Sequence, residues 1–274
     1  MSMRLEGRSV LVTGATGGIG GAIAHELAAR GCAVTATGRR HENLERLVSE
    51  LGPPARGFAA DLTTPAGVRE AVDRTGRVDV LVACAGAGVP DDLTGLSEEA
   101  LQEAIGINLF APAALARAVV PQMKQRGAGH IVFINSVAGL LASPSNGTVY
   151  TATKWGLRGL WLGLRQELHK TGIGVSTVFP GPVRDAGMFA RTEVALPRGT
   201  GTSSPQDVAR AVVRAIERDR RAVTVATGGV RLGRVIGVVA PGLVAPIARL
   251  AGANRVREAV IEAEHRMGAT ALGG

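Results

Sequence analysis

Tyr150 is the one tyrosine of this sequence, and it stands four residues before Lys154, one of three lysines. Positions i and i+4 share a helix face, so the phenol and the ammonium can meet. An ammonium beside a phenol favours the phenolate, which makes the pair a candidate general acid/base near neutral pH. A helical Tyr and Lys four apart by chance would read the same way, so the pair needs support from elsewhere in the chain.

That support lies at the N-terminus, which reads Ser9-Val-Leu-Val-Thr13-Gly14-Ala-Thr-Gly17-Gly18-Ile-Gly20. A β-branched apolar run ends in glycines, and a helix-like stretch over 22–30 follows. Glycines let the chain turn tightly and let a pyrophosphate approach a helix N-terminus, where free N–H groups and the dipole favour anions. A glycine cluster alone is a weak signal. Between a strand and a helix it has the context that a dinucleotide-binding loop requires.

Groups this far apart need a fold to bring them together, and its elements are legible. Strand-like runs occur at 9–13, 33–37, 57–60, 78–83, 130–135, 174–179 and 222–226, with helix-like stretches between them. The alternation predicts an α/β fold, a doubly wound parallel sheet with helices on both faces. Right-handed crossovers then fix the topology. A chain of 274 residues suits one large domain with a sizeable core. Residues 1–227 carry the alternation, and 228–274 form an apolar and helical C-terminal extension. Aromatics are only 3% while hydrophobic residues are 46%, so Ala, Val, Leu and Gly must build the core. Such small and branched residues suit a sheet buried on both faces.

The net charge is +8, and 28 of the 31 basic residues are arginine. They are scattered, with no basic run and no aromatic interleaving, which argues against nucleic-acid binding. Cys32 and Cys84 follow no metal-ligand spacing and make no disulfide framework, so no metal is expected. The first strand starts near Ser9, too early to follow a signal peptide, and a cytoplasmic location is expected. The stretch 235–248 is uncharged but holds Pro241 and Pro246, and its fourteen residues are too few to span a bilayer. Arg231, Arg234 and Arg249 flank it. Segment 228–250 therefore suits either a peripheral membrane contact with an arginine rim or a lid or subunit contact, the second being the plainer reading.

Thr13-Gly14-x-x-x-Gly18-x-Gly20 and Tyr150-x-x-x-Lys154 together resemble the short-chain dehydrogenase/reductase family, over about residues 7–226. Gly17 also permits the loop spacing of that family's longer, epimerase-like branch, but the length favours the shorter reductase-like branch. The resemblance implies a Rossmann-like fold and a nicotinamide cofactor held at Gly14, Thr16, Gly18, Ile19 and Gly20. It implies that Tyr150 exchanges the proton and that Lys154 supports it and grips the nicotinamide ribose. Asp61 and Leu62 would contact the adenine, although a turn or N-cap aspartate fits Asp61 equally well. Ala85 and Gly86 match the end of the family's Asn-Asn-Ala-Gly segment, but both asparagines are missing, and Cys84 reads as a buried small residue rather than a nucleophile. Asn108 matches the active-site asparagine that bends a helix and holds a water beside the lysine. Ser136, fourteen residues before Tyr150, matches the serine that donates to the substrate oxygen, with Ser143 as the alternative. Pro180, Gly181 and Val183 resemble the segment under the nicotinamide, with Val183 offering its backbone. Asp185 stands where the family often has threonine, and either replaces that contact or faces the substrate loop.

The second βα turn bears on the choice of cofactor. NAD enzymes of this fold commonly end the second strand in an acid that binds the ribose 2′-OH. Here Gly38 holds that place, with Arg39 and Arg40 after it, and guanidinium groups suit a 2′-phosphate. NADP(H) is the expected cofactor. Loops 89–94, 140–148 and 185–202 should set specificity, with Leu140, Leu141, Met188 and Phe189 lining an apolar pocket. The expected substrate is an apolar ketone or secondary alcohol of steroid, polyketide or acyl type. Trp155 is expected to pack against a neighbouring helix or subunit, and the resemblance implies a homodimer or homotetramer. Two rivals stay open. One is a non-redox dehydratase, cyclase or isomerase using the same acid/base groups. The other is a non-catalytic NADP(H)-binding protein, which would not need Asn108, Ser136, Tyr150 and Lys154 together.

Overall fold

The computed structural model describes residues 3–88, 93–141, 147–186 and 201–226, with isolated positions near the C-terminus. Seven strands form one parallel sheet in the order β3-β2-β1-β4-β5-β6-β7. They are β1 Ser9–Thr13, β2 Ala33–Gly38, β3 Arg56–Ala59, β4 Val80–Ala83, β5 Gly129–Ile134, β6 Ile173–Pro180 and β7 Ala222–Val225. Each predicted run became a strand, with ends shifted by at most two residues.

Helices α1 Gly18–Ala28, α2 His41–Leu51, α3 Pro65–Thr75, α4 Glu98–Ile105, α5 Ala111–Arg126, α6 Thr148–Glu167 and α7 Pro205–Glu217 cover the sheet. The strands have apolar side chains on both sides, and the period of two sends alternate residues to opposite faces. Val10, Val12, Val34 and Ala36 meet Ile23 and Leu27 of α1, Leu44 of α2 and Val212 of α7. Leu11, Leu81, Ile131 and Phe133 meet Val68 of α3, Leu115 and Met123 of α5, and Leu157 of α6. Two cores therefore sandwich the sheet, and the doubly wound expectation holds.

The chain runs outward from β1 through β2 to β3, then returns to place β4 on the other side of β1. At such a switch point the crossing loops diverge, leaving a crevice beyond the carboxyl ends of β1 and β4. The helical stretch 98–126, which includes α4 and α5, is long and apolar enough to cross a membrane by length and composition. Here Ala111, Leu115, Val119 and Met123 are buried in the core beside the sheet.

Candidate active site

The glycine loop is shaped by backbone contact. Gly14 has φ +64°, and a Cβ there would lie 2.8 Å from Ala85 Cα, so the β1 loop and the β4 loop touch at the switch point. A Cβ on Gly20 would collide with the Gly14 carbonyl, and one on Gly18 would lie 2.7 Å from Ala186 Cβ. Only glycine fits these contacts. The N-cap of α1 is Gly17, which offers no side-chain acceptor to the first-turn N–H groups. Helices α3, α4 and α7 differ, since Thr64, Ser97 and Ser204 cap them with a hydroxyl. The N-terminus of α1 thus keeps its donors for an anion. These features fit a dinucleotide pyrophosphate.

Thr13 holds the facing loop. Its Oγ1 accepts from the backbone N–H of Cys84 at 3.0 Å and of Ala85 at 3.1 Å. The backbone after β4 is therefore pinned although both family asparagines are missing. Burial pushes the Cys84 thiol up to about 12, against the opposing pull of the Lys154 ammonium. A thiol held protonated is a poor nucleophile.

Lys154 is 5% exposed. Its Nζ donates to the Ile134 carbonyl at the end of β5, at 3.3 Å, and lies 5.5 Å from the centroid of the Tyr150 ring. A Cβ on Gly86 would sit 3.7 Å from that Nζ and 2.8 Å from Asn108 Oδ1. The ends of β4 and β5, one turn of α6 and Asn108 thus converge on one ammonium. Tyr150 is half-buried and packs against Leu96, Leu101, Ala104 and Val149.

Asn108 is 1% exposed, so it is no surface asparagine. It lies in a π-helical turn, Gly106–Phe110, between α4 and α5. In an α-helix its carbonyl would accept from residue 112, but Pro112 has no N–H. The side-chain amide is engaged at both ends: Nδ2 donates to Ala87 O at 2.9 Å, and Oδ1 accepts from Ala87 N at 3.1 Å.

Ser136 follows β5 and starts the short 3₁₀ turn Val137–Gly139. Its Oγ accepts from Ala138 N at 3.2 Å, and a hydroxyl that accepts keeps its own hydrogen to donate. Asn135 ties this turn to α6. Its Nδ2 donates to Lys154 O at 3.2 Å and its Oδ1 accepts from Ser136 N at 2.8 Å. The Asn135 link was missed in the sequence because its partner lies nineteen residues away.

The adenosine end is less enclosed. A Cβ on Gly38 would press on the Thr16 side chain at 2.7 Å, so Gly38 and Thr16 need each other. Arg39 and Arg40 are exposed, and Arg40 is the N-cap of α2 with no side-chain bond to the first turn. Asp61 Oδ1 accepts from Thr63 Oγ1 at 2.6 Å and Thr63 N at 3.0 Å, an Asx turn. Those bonds, with Arg39 adding, hold its carboxyl below the usual range. Ile19 is half-buried at the first turn of α1. The Leu62 side chain is buried in the core, which leaves its backbone for a ligand.

Under the far end, Gly181 N donates to Val225 O, and Pro180 closes β6. Val183 makes an isolated parallel bridge to Ser203. Asp185 has φ +62°, is exposed and pairs with Arg184 at 3.7 Å. It turns the chain so that Ala186 reaches Gly18. Leu140 corrects an expectation: it is buried in the core beneath the 3₁₀ turn, not lining a pocket, because the turn folds it inward. Leu141 is half-buried, and Trp155 is exposed with the Arg158 guanidinium 5.2 Å over its ring. Ser143, Met188, Phe189 and, apart from Pro246, segment 228–250 lie outside the described residues.

Known proteins agree with this geometry. The chain is 34% identical over 96% of its length to the ketoacyl reductase HetN of Nostoc sp., 99% of which is covered. A short-chain dehydrogenase from Sphingobium yanoikuyae, solved with NADPH, superposes with a TM-score of 0.74 at 28% identity, covering 86% of this chain and 94% of that one. A 3-ketoacyl-(acyl-carrier-protein) reductase from Brucella melitensis, solved with NADH, gives 0.71 at 25% identity, covering 82% and 98%. The family model for short chain dehydrogenase matches residues 8–195, and with the glycine loop, the switch-point crevice and the Tyr150–Lys154 pair, this chain belongs to the short-chain dehydrogenase family of oxidoreductases.

Proposed function

We propose that the protein is an NADP(H)-dependent reductase of an apolar ketone, run by Tyr150 as general acid/base. The observation that carries this reading is the buried Lys154 ammonium set against the Tyr150 ring beside an open glycine loop. Gly14, Gly18, Gly20 and the first turn of α1 would hold the pyrophosphate. Arg39, Arg40 and the uncapped N-terminus of α2 would receive a 2′-phosphate. Bound there, a reduced nicotinamide supplies a hydride to the carbonyl carbon, and its oxidised form takes one from an alcohol carbon. Tyr150 gives the carbonyl oxygen its proton in reduction and recovers it from the alcohol in oxidation. Lys154, held 5.5 Å from the Tyr150 ring centroid, would grip the nicotinamide ribose. Ser136 donates to the oxygen as negative charge grows on it. Asn108 fixes the loop after β4 and breaks the helix beside Lys154.

The name of the Nostoc relative favours a ketone on an acyl chain, as in an acyl or polyketide substrate, over a steroid. Ile105 of α4, Phe110 of the π-helical turn, and Trp155 and Leu162 of α6 expose apolar surface. That surface supports a homodimer or homotetramer, which light scattering would detect. Titration with NADPH and NADH, followed by a screen of 3-oxoacyl esters, tests the main reading. Consumption of NADPH with alcohol formation supports it. Product formation without net NADPH oxidation would favour the non-redox rival.

A further inference from the structure

An ion pair spans the adenosine end of the crevice. Arg39, just after β2, donates from Nη1 to Glu103 Oε1 of α4 at 3.0 Å. These elements come from opposite sides of the switch point. Asp61 is near enough to feel the same guanidinium. The turn after α4 comes up to the Asp61 loop, since a Cβ on Gly106 would lie 3.4 Å from Thr63 Cβ. Arg39 is thus faced by two carboxylates, one of which it grips.

The Arg39 and Glu103 side chains are 78% and 55% exposed, so packing does not force them together. Exposed pairs contribute little to folding. A carboxylate nevertheless offers guanidinium the same kind of charge-assisted hydrogen bond as a phosphate. Glu103 therefore occupies a donor that a 2′-phosphate would use. A 2′-hydroxyl makes no such demand and can leave the pair intact.

We propose that Glu103 is a selectivity-determining residue: it competes with the ribose 2′-phosphate for Arg39 and moderates the preference for NADP(H) over NAD(H). This rests on the reading of Arg39 as a 2′-phosphate ligand. Dissociation constants for NADPH and NADH, at low and high salt, are compared in the wild type, Glu103→Gln, Arg39→Gln and the double variant. Glu103→Gln tightens NADPH binding about two- to fivefold, the range expected for an exposed pair. NADH binding is unchanged, and high salt shrinks the gain. The gain vanishes in the Arg39→Gln background. If Arg39→Gln weakens NADPH binding while Glu103→Gln changes nothing, the competition is wrong and the Arg39 reading stands. If Arg39→Gln leaves NADPH affinity unchanged, that reading falls and takes the competition with it. A gain from Glu103→Gln that persists without Arg39 is a general field effect and overturns the proposal.

Discussion

The side-chain amide of Asn108 makes a reciprocal pair of hydrogen bonds with the backbone of Ala87, twenty-one residues away. One side chain thereby joins the π-helical turn to the loop after β4. Replacing Asn108 by Ala leaves the part-buried N–H and C=O of Ala87 without their partner, which costs at most about 1–3 kcal/mol for each group. Urea denaturation should show a lower midpoint with an unchanged slope, and turnover should fall as well.

Tyr150→Phe keeps the ring and its packing against Leu101 and Ala104 but removes the proton. Turnover should drop about 10²- to 10⁴-fold, the usual worth of a positioned acid/base. NADPH affinity, read by fluorescence titration, should stay within about twofold, far below the roughly tenfold change that 1.4 kcal/mol of lost binding produces. Full activity in this variant would sink the mechanism.

Thr13→Val matches the shape of threonine and deletes the oxygen that holds Cys84 N and Ala85 N. Two part-buried donors lose their acceptor, and stability should fall by at most about 1–3 kcal/mol for each. Thr13→Ser restores an acceptor and should recover most of the loss in the same denaturation experiment.

Neither thiol should react in the folded protein. Burial raises Cys32 to about 11 and Cys84 to about 12, so both are protonated at neutral pH. An aromatic disulfide reagent should label both cysteines after unfolding and neither before.

Acid stability should carry the mark of His130, at the amino end of β5, the opposite end of the strands from the crevice. Its Nε2 lies 2.8 Å from Ser176 Oγ, which donates to Arg220 O. The hydroxyl hydrogen is committed there, so Nε2 must be the donor. Burial lowers its pKa from 6.5 to about 4. Between these values the unfolded chain binds the extra proton. Stability from this group is therefore full above about pH 6.5 and falls as pH drops toward 4, by at most ~1.4 kcal/mol per pH unit. Denaturation midpoints across that window should show the slope, and His130→Gln should flatten it.

Local pattern determined much of this protein. Apolar runs and glycines located all seven strands, because burial on both faces demands continuous apolar residues. The Tyr150–Lys154 spacing survived as geometry, because the i, i+4 relation belongs to any helix. The bend at Asn108 was expected only from the family resemblance; in the structure it is a π-helical turn, and Pro112, one helical turn on, has no N–H to give the Asn108 carbonyl. The partners of each group were beyond the reach of local pattern. Thr13 meets Cys84 and Ala85, Asn135 meets Lys154, Asn108 meets Ala87, and Arg39 meets Glu103 only because the sheet order and its crossovers bring distant loops to one edge. Leu140 entered the core for the same reason: a residue's depth depends on what folds over it, and its own apolarity does not distinguish a pocket wall from a core.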